Sequence, residues 1–445
     1  MEVKKINIAC EDVIKYNDLG EIELCKPNLS NYPIYSIGNS NLYDEYIKYN
    51  PLVVFFKNCE NKFNLKTLKE LTEKKEKFIY PIFLYDHRIL EIENIDLPEE
   101  LINSLRSKNS KIAFIEHVEG IVHAEYNFKW LSDLSKKYTL RKESIVLISS
   151  NIKIKDRFSE LLSNGIIEDN FSVYPYNYFS CDFWFTDPQG DLFCDGFKSF
   201  LSTQLPINLE NKKRTKIERH FLCFNRVPRN HRVCIFGELM TNPNLINKSI
   251  TTLGSINLVN NRATNFTYAI EDLLENRYIN KKTLINFFEN YNAVNDCKFD
   301  NDLNINQAGV FNSEAHSKTF LNIITETAHN PNYIFFSEKT FKPIYACQPF
   351  IMLGGPFYLK TLKEYGYKTF DKWWDESYDN EVNFTARFEK IIKLLEEIAT
   401  WDIDKCQRIA NEMEDVLIHN FNIMINNKEP VNLYNYLIDN PHNLS

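Results

Sequence analysis

Residues 335–355 read FFSEKTFKPIYACQPFIMLGG. The segment from 340 to 346 has the character of a helix start, and 349–353 is a compact apolar strand that stops at Gly354 and Gly355. A short strand with no polar alternation is the mark of a strand covered on both faces, as in parallel sheets. Working upstream, 320–325 and 249–254 read as strands. So does 221–224, followed by a helix over 231–240 with Asn230 as its N-cap and, later, a helix over 281–291. Downstream the chain turns helical, over 384–400 and 403–420, with Ile391, Leu394, Leu395 and Ile398 at helical spacing.

The first 200 residues repeat the alternation. Strands are expected at 33–37, 52–56, 78–84, 111–115 and 144–149, and helices at 65–77, 124–137 and 154–164. Strand–helix alternation of this kind predicts an α/β protein with parallel sheets. An aromatic run over 174–185 reads as inter-domain core, with a sugar-stacking platform as the alternative. The polar, basic stretch 208–219 is the natural linker, with a phosphate-binding patch as the sharper alternative. The expected division is therefore 1–207, linker 208–219, a second α/β domain over 220–381, and a helical segment over 382–445 that packs back on the first domain.

Composition narrows the function. Hydrophobic residues make up 44% of the 445 and charged residues 25%, which fits a chain with a large core and not a disordered one. The net charge of −8 argues against a protein whose main work is wrapping nucleic acid. The N-terminus shows no apolar signal stretch and no run approaches the length of a membrane span, so a cytoplasmic location without a span is expected. Ten scattered cysteines without a C-x-x-C pair read as reduced thiols, and no zinc-ligand spacing is present.

Ligands of open α/β sheets bind at the carboxyl ends of the strands. Two segments place charge there. Glu338, Lys339 and Lys342 stand at the start of a helix: a carboxylate can grip ribose hydroxyls and a lysine can neutralise a diphosphate. The plain alternative is an exposed helix start with an acidic residue favouring the dipole. Asn225, Arg226, Arg229, His231 and Arg232 lie between a strand and a helix, where forked donors suit phosphate oxygens, the alternative being a surface loop. Glu326 is a further acidic candidate for the same cleft. Asp300 and Asp302 form a D-x-D triplet that reads as a loop, and of His316 and His329 one is expected near the cleft.

The stretch from Ser337 to Pro343 with Gln348 to Gly354 resembles the Thr-Glu-Lys…Pro-Val-Val-Leu-Gly signature of the fucosyltransferase family that includes the alpha-1,3 enzymes. It is more similar still to the fucosyltransferase-like glycosyltransferases of phages and large viruses, whose following run is matched over 362–379. The segment 225–232 resembles that family's phosphate-contacting arginine region, with Arg232 the nearest match and Arg226 and Arg229 competing. Phe350 and Ile351 replace the family's Val-Val, so sugar identity does not carry over.

The resemblance implies a GT-B fold: two Rossmann-like domains facing across a cleft, the N-terminal one taking the acceptor and the C-terminal one the nucleotide-sugar donor. It implies a glycosyltransferase that inverts and needs no metal or other cofactor. Glu338 would bind the ribose, and Lys339 and Arg232 the diphosphate. The acceptor would be a glycan, a protein or modified viral DNA. The base would come from the N-terminal domain, where Glu116, His117 and Glu119 follow a strand; Glu119 is preferred because Gly120 lets the backbone turn. The alternative is a nucleotide- or glycan-binding protein that keeps the fold without the chemistry.

Overall fold

The computed structural model describes residues 5–10, 14–16, 22–24, 63–84, 97–116, 124–169, 171–177, 207–208, 213–214, 216–225, 229–253, 312–327, 333–426 and 429–439. The strands expected at 33–37 and 52–56, the helix at 281–291 and most of the aromatic run after 177 lie outside them. The chain divides into two compact units, Met1–Tyr178 with Lys428–Ser445, and Phe179–Asn427.

In the first unit the described elements are β1 (Ile6–Cys10), a small antiparallel pair of β2 (Ile14–Tyr16) and β3 (Ile22–Leu24), β4 (Phe63–Thr67), α1 (Leu68–Glu73), β5 (Phe78–Leu84), α2 (Glu99–Arg106), β6 (Ser110–Glu116), α3 (Ala124–Lys137), β7 (Ile145–Ser149), α4 (Ile154–Ser163) and β8 (Ser172–Pro175). The main sheet has the order β4-β1-β5-β6-β7-β8, and every neighbouring pair is parallel. The sheet therefore grows first to one side of β1 and then to the other, reversing between β1 and β5. Every residue of β6 and β7 is buried, which is why these strands read as continuous apolar runs. The core joins Phe78, Leu101, Phe114, Phe128, Leu131 and Leu147.

One expected helix is shorter than the sequence pattern promised. Residues 65–67 belong to β4, which pairs with β1 from Ile6–Phe63 to Cys10–Thr67. The helix begins only at Leu68 because the Thr67 hydroxyl accepts the Glu70 N–H as an N-cap.

The second unit carries β9 (Ile207–Asn208), which straddles the start of the expected linker, and β10 (Lys213–Arg214), within it, as an antiparallel pair. Then come β11 (Arg219–Asn225), α5 (Asn230–Thr241), β12 (Ser249–Leu253), α6 (Ser313–Lys318), β13 (Thr319–Thr325), α7 (Glu338–Tyr345), β14 (Phe350–Leu353), α8 (Tyr358–Glu364), α9 (Phe384–Ala399), α10 (Ile403–Glu412) and α11 (Glu414–Ile425). Its sheet has the order β12-β11-β13-β14, again all parallel, and reverses between β11 and β13. Asn230 is the first residue of α5 rather than its cap; Arg229 holds the cap position and makes no side-chain cap bond. The helix expected over 403–420 breaks at Met413, whose ψ of −5° turns the chain between α10 and α11.

The apolar stripe of α9 is covered as its spacing requires: Ile391, Leu394, Leu395 and Ile398 are all buried. The residues read together as 382–445 divide between the units. α9, α10 and α11 belong to the second, and the last helix, α12 (Glu429–Asp439), belongs to the first, where the Tyr436 ring lies 4.6 Å from that of Tyr174 on β8. No helix among the described residues is long and apolar enough to cross a membrane. The described free cysteines, Cys223, Cys234, Cys347 and Cys406, are buried.

Candidate functional site

The carboxyl ends of β11 and β13 flank the point where the second sheet reverses, the position at which open α/β sheets bind ligands. The two strands end level: the Thr325 hydroxyl donates to the Asn225 side-chain oxygen at 2.6 Å. Asn225 is fully buried, and its backbone N–H reaches the Thr252 hydroxyl on β12. Beneath it, burial pushes the Cys223 thiol up to about 11.

The loop and first turn after β11 close over the exit of β13. Arg229 donates to the Thr327 carbonyl, His231 Nε2 to the Glu326 carbonyl at 2.7 Å, and Arg232 Nη2 to the Thr325 carbonyl at 3.2 Å. Three cationic or titratable side chains thus bind three successive carbonyls. Because a carbonyl only accepts, His231 carries its proton on Nε2. Arg232 is buried and Arg229 half-buried. The sequence pattern showed a cluster of donors; it did not show that backbone carbonyls, which have no side-chain signature, would take one bond from each.

Glu326 turns inward. Its Oε2 accepts the Thr327 N–H at 3.0 Å, and its Oε1 accepts the Ser337 N–H at 3.0 Å and the Thr340 hydroxyl at 2.5 Å. The side chain is fully buried, so the expectation that it faces a cleft is replaced by a role at the start of α7. Gly354 makes room for it: a Cβ there would lie 3.4 Å from the Glu326 Cβ and 3.3 Å from the Tyr358 ring.

α7 begins on Ser337, whose hydroxyl accepts the Lys339 N–H. Lys339 Nζ pairs with Glu338 Oε1 at 2.5 Å. Burial acts to raise the Glu338 carboxyl, but the cations of Lys339 and Lys342 outweigh it and hold the group below its ordinary value. The result is a buried, ionised carboxylate with a half-buried ammonium beside it, at the opening of an eight-residue helix.

No protein-family model matches the chain, and neither a curated protein nor a solved structure matches it. The chemistry of the site therefore rests on its own geometry. The structure ties Arg229, His231 and Arg232 to Thr325–Thr327, and ties the turn bearing Glu338 and Lys339 to the same three residues through Glu326.

In the first unit, Glu116 ends β6 and is buried. One of its oxygens accepts the Asn127 amide at 3.1 Å, and the other accepts the Ser149 hydroxyl at the end of β7. The carboxylate so joins two strand ends to α3. His117, Glu119 and Arg226 lie outside the described residues, as do Asp300, Asp302 and His329. His316 lies on α6, ahead of the start of β13, and its Nδ1 meets the Gln348 side-chain oxygen at 2.8 Å. That is the amino end of the sheet, away from the site, so of the two histidines His316 is not the one near the cleft, and His329 lies outside the described residues. Among the described residues no group of three or more His, Cys, Asp or Glu is placed to hold a metal ion.

Proposed function

We propose that the chain is a GT-B-type glycosyltransferase that moves a sugar from a nucleotide-sugar donor to a hydroxyl of a glycan, a protein or modified DNA. The observation that carries the reading is the Glu338–Lys339 pair at the start of α7, tethered to the reversal point of a parallel sheet. The resemblance of this segment to the fucosyltransferase signature gives the pair its roles. Glu338 holds ribose hydroxyls, which an ionised carboxylate accepts, and Lys339 offsets diphosphate charge with Lys342 nearby. Arg229 and Arg232 stand at the same sheet edge, held there by their bonds to the Thr327 and Thr325 carbonyls, and add fixed positive charge. Stabilising the leaving diphosphate by fixed cations does the work of a metal.

An acceptor hydroxyl is a weak nucleophile at neutral pH, so the reaction needs a base. Glu119 is assigned to it, with His117 as the other candidate. The burial of Glu116, with its carboxylate turned to Asn127 and Ser149, supports that choice, because a base must reach its substrate. Glu119→Gln should lower turnover by ~10²–10⁴ while nucleotide binding persists. Glu116→Gln should act on the melting temperature instead. Equal turnover in wild type and Glu119→Gln would remove Glu119 from the mechanism.

The direct test is a thermal-shift screen of nucleoside diphosphates and nucleotide sugars, followed by a turnover assay on whichever binds. A melting temperature raised by one of them, with sugar transfer, supports the enzyme. Binding without turnover supports the non-catalytic alternative.

A further inference from the structure

Glu326 performs a task that helices ordinarily perform for themselves. In a capping box, the residue at the third helical position reaches back to the N–H of the cap residue. In α7 that third residue is Thr340, and it does not. The Ser337 N–H and the Thr340 hydroxyl both go instead to one carboxylate oxygen of Glu326, which comes from the end of β13. The other oxygen takes the Thr327 N–H.

The backbone of Glu326 is fixed on both sides. Its N–H donates to the Leu353 carbonyl at the end of β14, and its carbonyl accepts from His231 in the first turn of α5. One residue therefore meets the ends of two strands and the starts of two helices. A buried carboxylate is costly unless hydrogen bonds satisfy it, and here all three contacts are donors. Glutamine would not serve: its NH₂ would have to face either the Thr327 N–H or the Ser337 N–H and the Thr340 hydroxyl, donor against donor.

We propose that Glu326 is the positioning residue of this site, setting where the first turn of α7 presents Glu338 and Lys339 to a nucleoside diphosphate relative to the cations of α5. The inference rests on the donor-site reading above. Drawing the cap from the sheet couples the helix start to the reversal point, so an error in the contact moves the ligand-binding groups.

The test is isothermal titration calorimetry with guanosine, uridine, adenosine and cytidine diphosphates, on full-length wild type and on Glu326→Gln, Thr340→Val and Thr340→Ser. Each protein is melted in parallel and assayed well below its melting temperature. Glu326→Gln should weaken the diphosphate that wild type binds about ten- to a hundredfold. Thr340→Val, which removes a single hydroxyl contact, should weaken it about three- to tenfold, and Thr340→Ser, which restores the hydroxyl, should return it to within about twofold. If Glu326→Gln does not fold, the Thr340 pair decides. Lower melting temperatures with unchanged affinity in Thr340→Val and in any folded Glu326→Gln would overturn the positioning role and leave the donor site standing. Failure of wild type to bind any of the four would overturn the donor site, and the inference with it.

Discussion

Glu429, at the start of α12, is buried, and burial pushes its carboxyl from 4.5 up to about 7. A raised folded-state value means the protonated group favours the fold. Its stabilising contribution is fully present below about pH 4.5 and is lost as pH rises through about 7. The difference corresponds to about 3 kcal/mol. Glu429→Gln should therefore gain about that much stability relative to wild type between pH 4.5 and pH 8, read from urea melts at both values. A pH-independent difference would contradict this. At this scale the sequence was informative about residue type and silent about direction. Glu338 and Lys339 were legible because they stand adjacent at a helix start. Glu326 was visible as a carboxylate after an apolar strand, but its inward turn depends on Ser337 and Thr340, residues distant in sequence that nothing local connects to it. Glu116 stands where a strand ends, as a base would, yet its Asn127 and Ser149 partners come from two other elements that its local sequence does not show.

Two helix starts in the second unit, those of α7 and α8, are held by acidic residues from elsewhere. Asp379, in the turn Ser377–Asn380, takes the Leu359 and Lys360 N–H groups at the start of α8, as Glu326 takes the Ser337 N–H and the Thr340 hydroxyl at the start of α7. Asp379→Ala should cost about 1–3 kcal/mol in thermal melts, since it leaves buried N–H groups without an acceptor. Loss below about half a kcal/mol would show that water replaces the carboxylate. The α9 stripe gives a packing test at the same scale. Leu395 is fully buried, and Leu395→Ala should cost about 2–5 kcal/mol. Where apolar spacing and length agreed, elements were legible: β5 and α3 match their expected bounds. Where a single cap or a single dihedral decides, they were not. Thr67 delays α1, and Met413 splits the last long helix, while short segments such as α6 and α8 carry too few periodic positions to stand out.

At the scale of the whole molecule, parallel sheets were readable because strands buried on both faces leave long apolar runs, and both sheets are of that kind. The strand orders were not readable, since hydrophobicity does not say which strand lies beside which. Those orders matter most for function. They place the reversal of the second sheet between β11 and β13, where the first turn of α5, bearing Arg232, meets the segment bearing Glu326. The proposed role of this point is to hold a nucleotide-sugar donor by fixed cations. The measurement that tests it most directly is release of nucleoside diphosphate from a panel of nucleotide sugars, in EDTA, by wild type and Lys339→Ala. The account predicts that wild type consumes one donor class undiminished by the chelator, and that Lys339→Ala loses about a hundredfold in rate. Strict dependence on added manganese, or equal rates in wild type and Lys339→Ala, would contradict it.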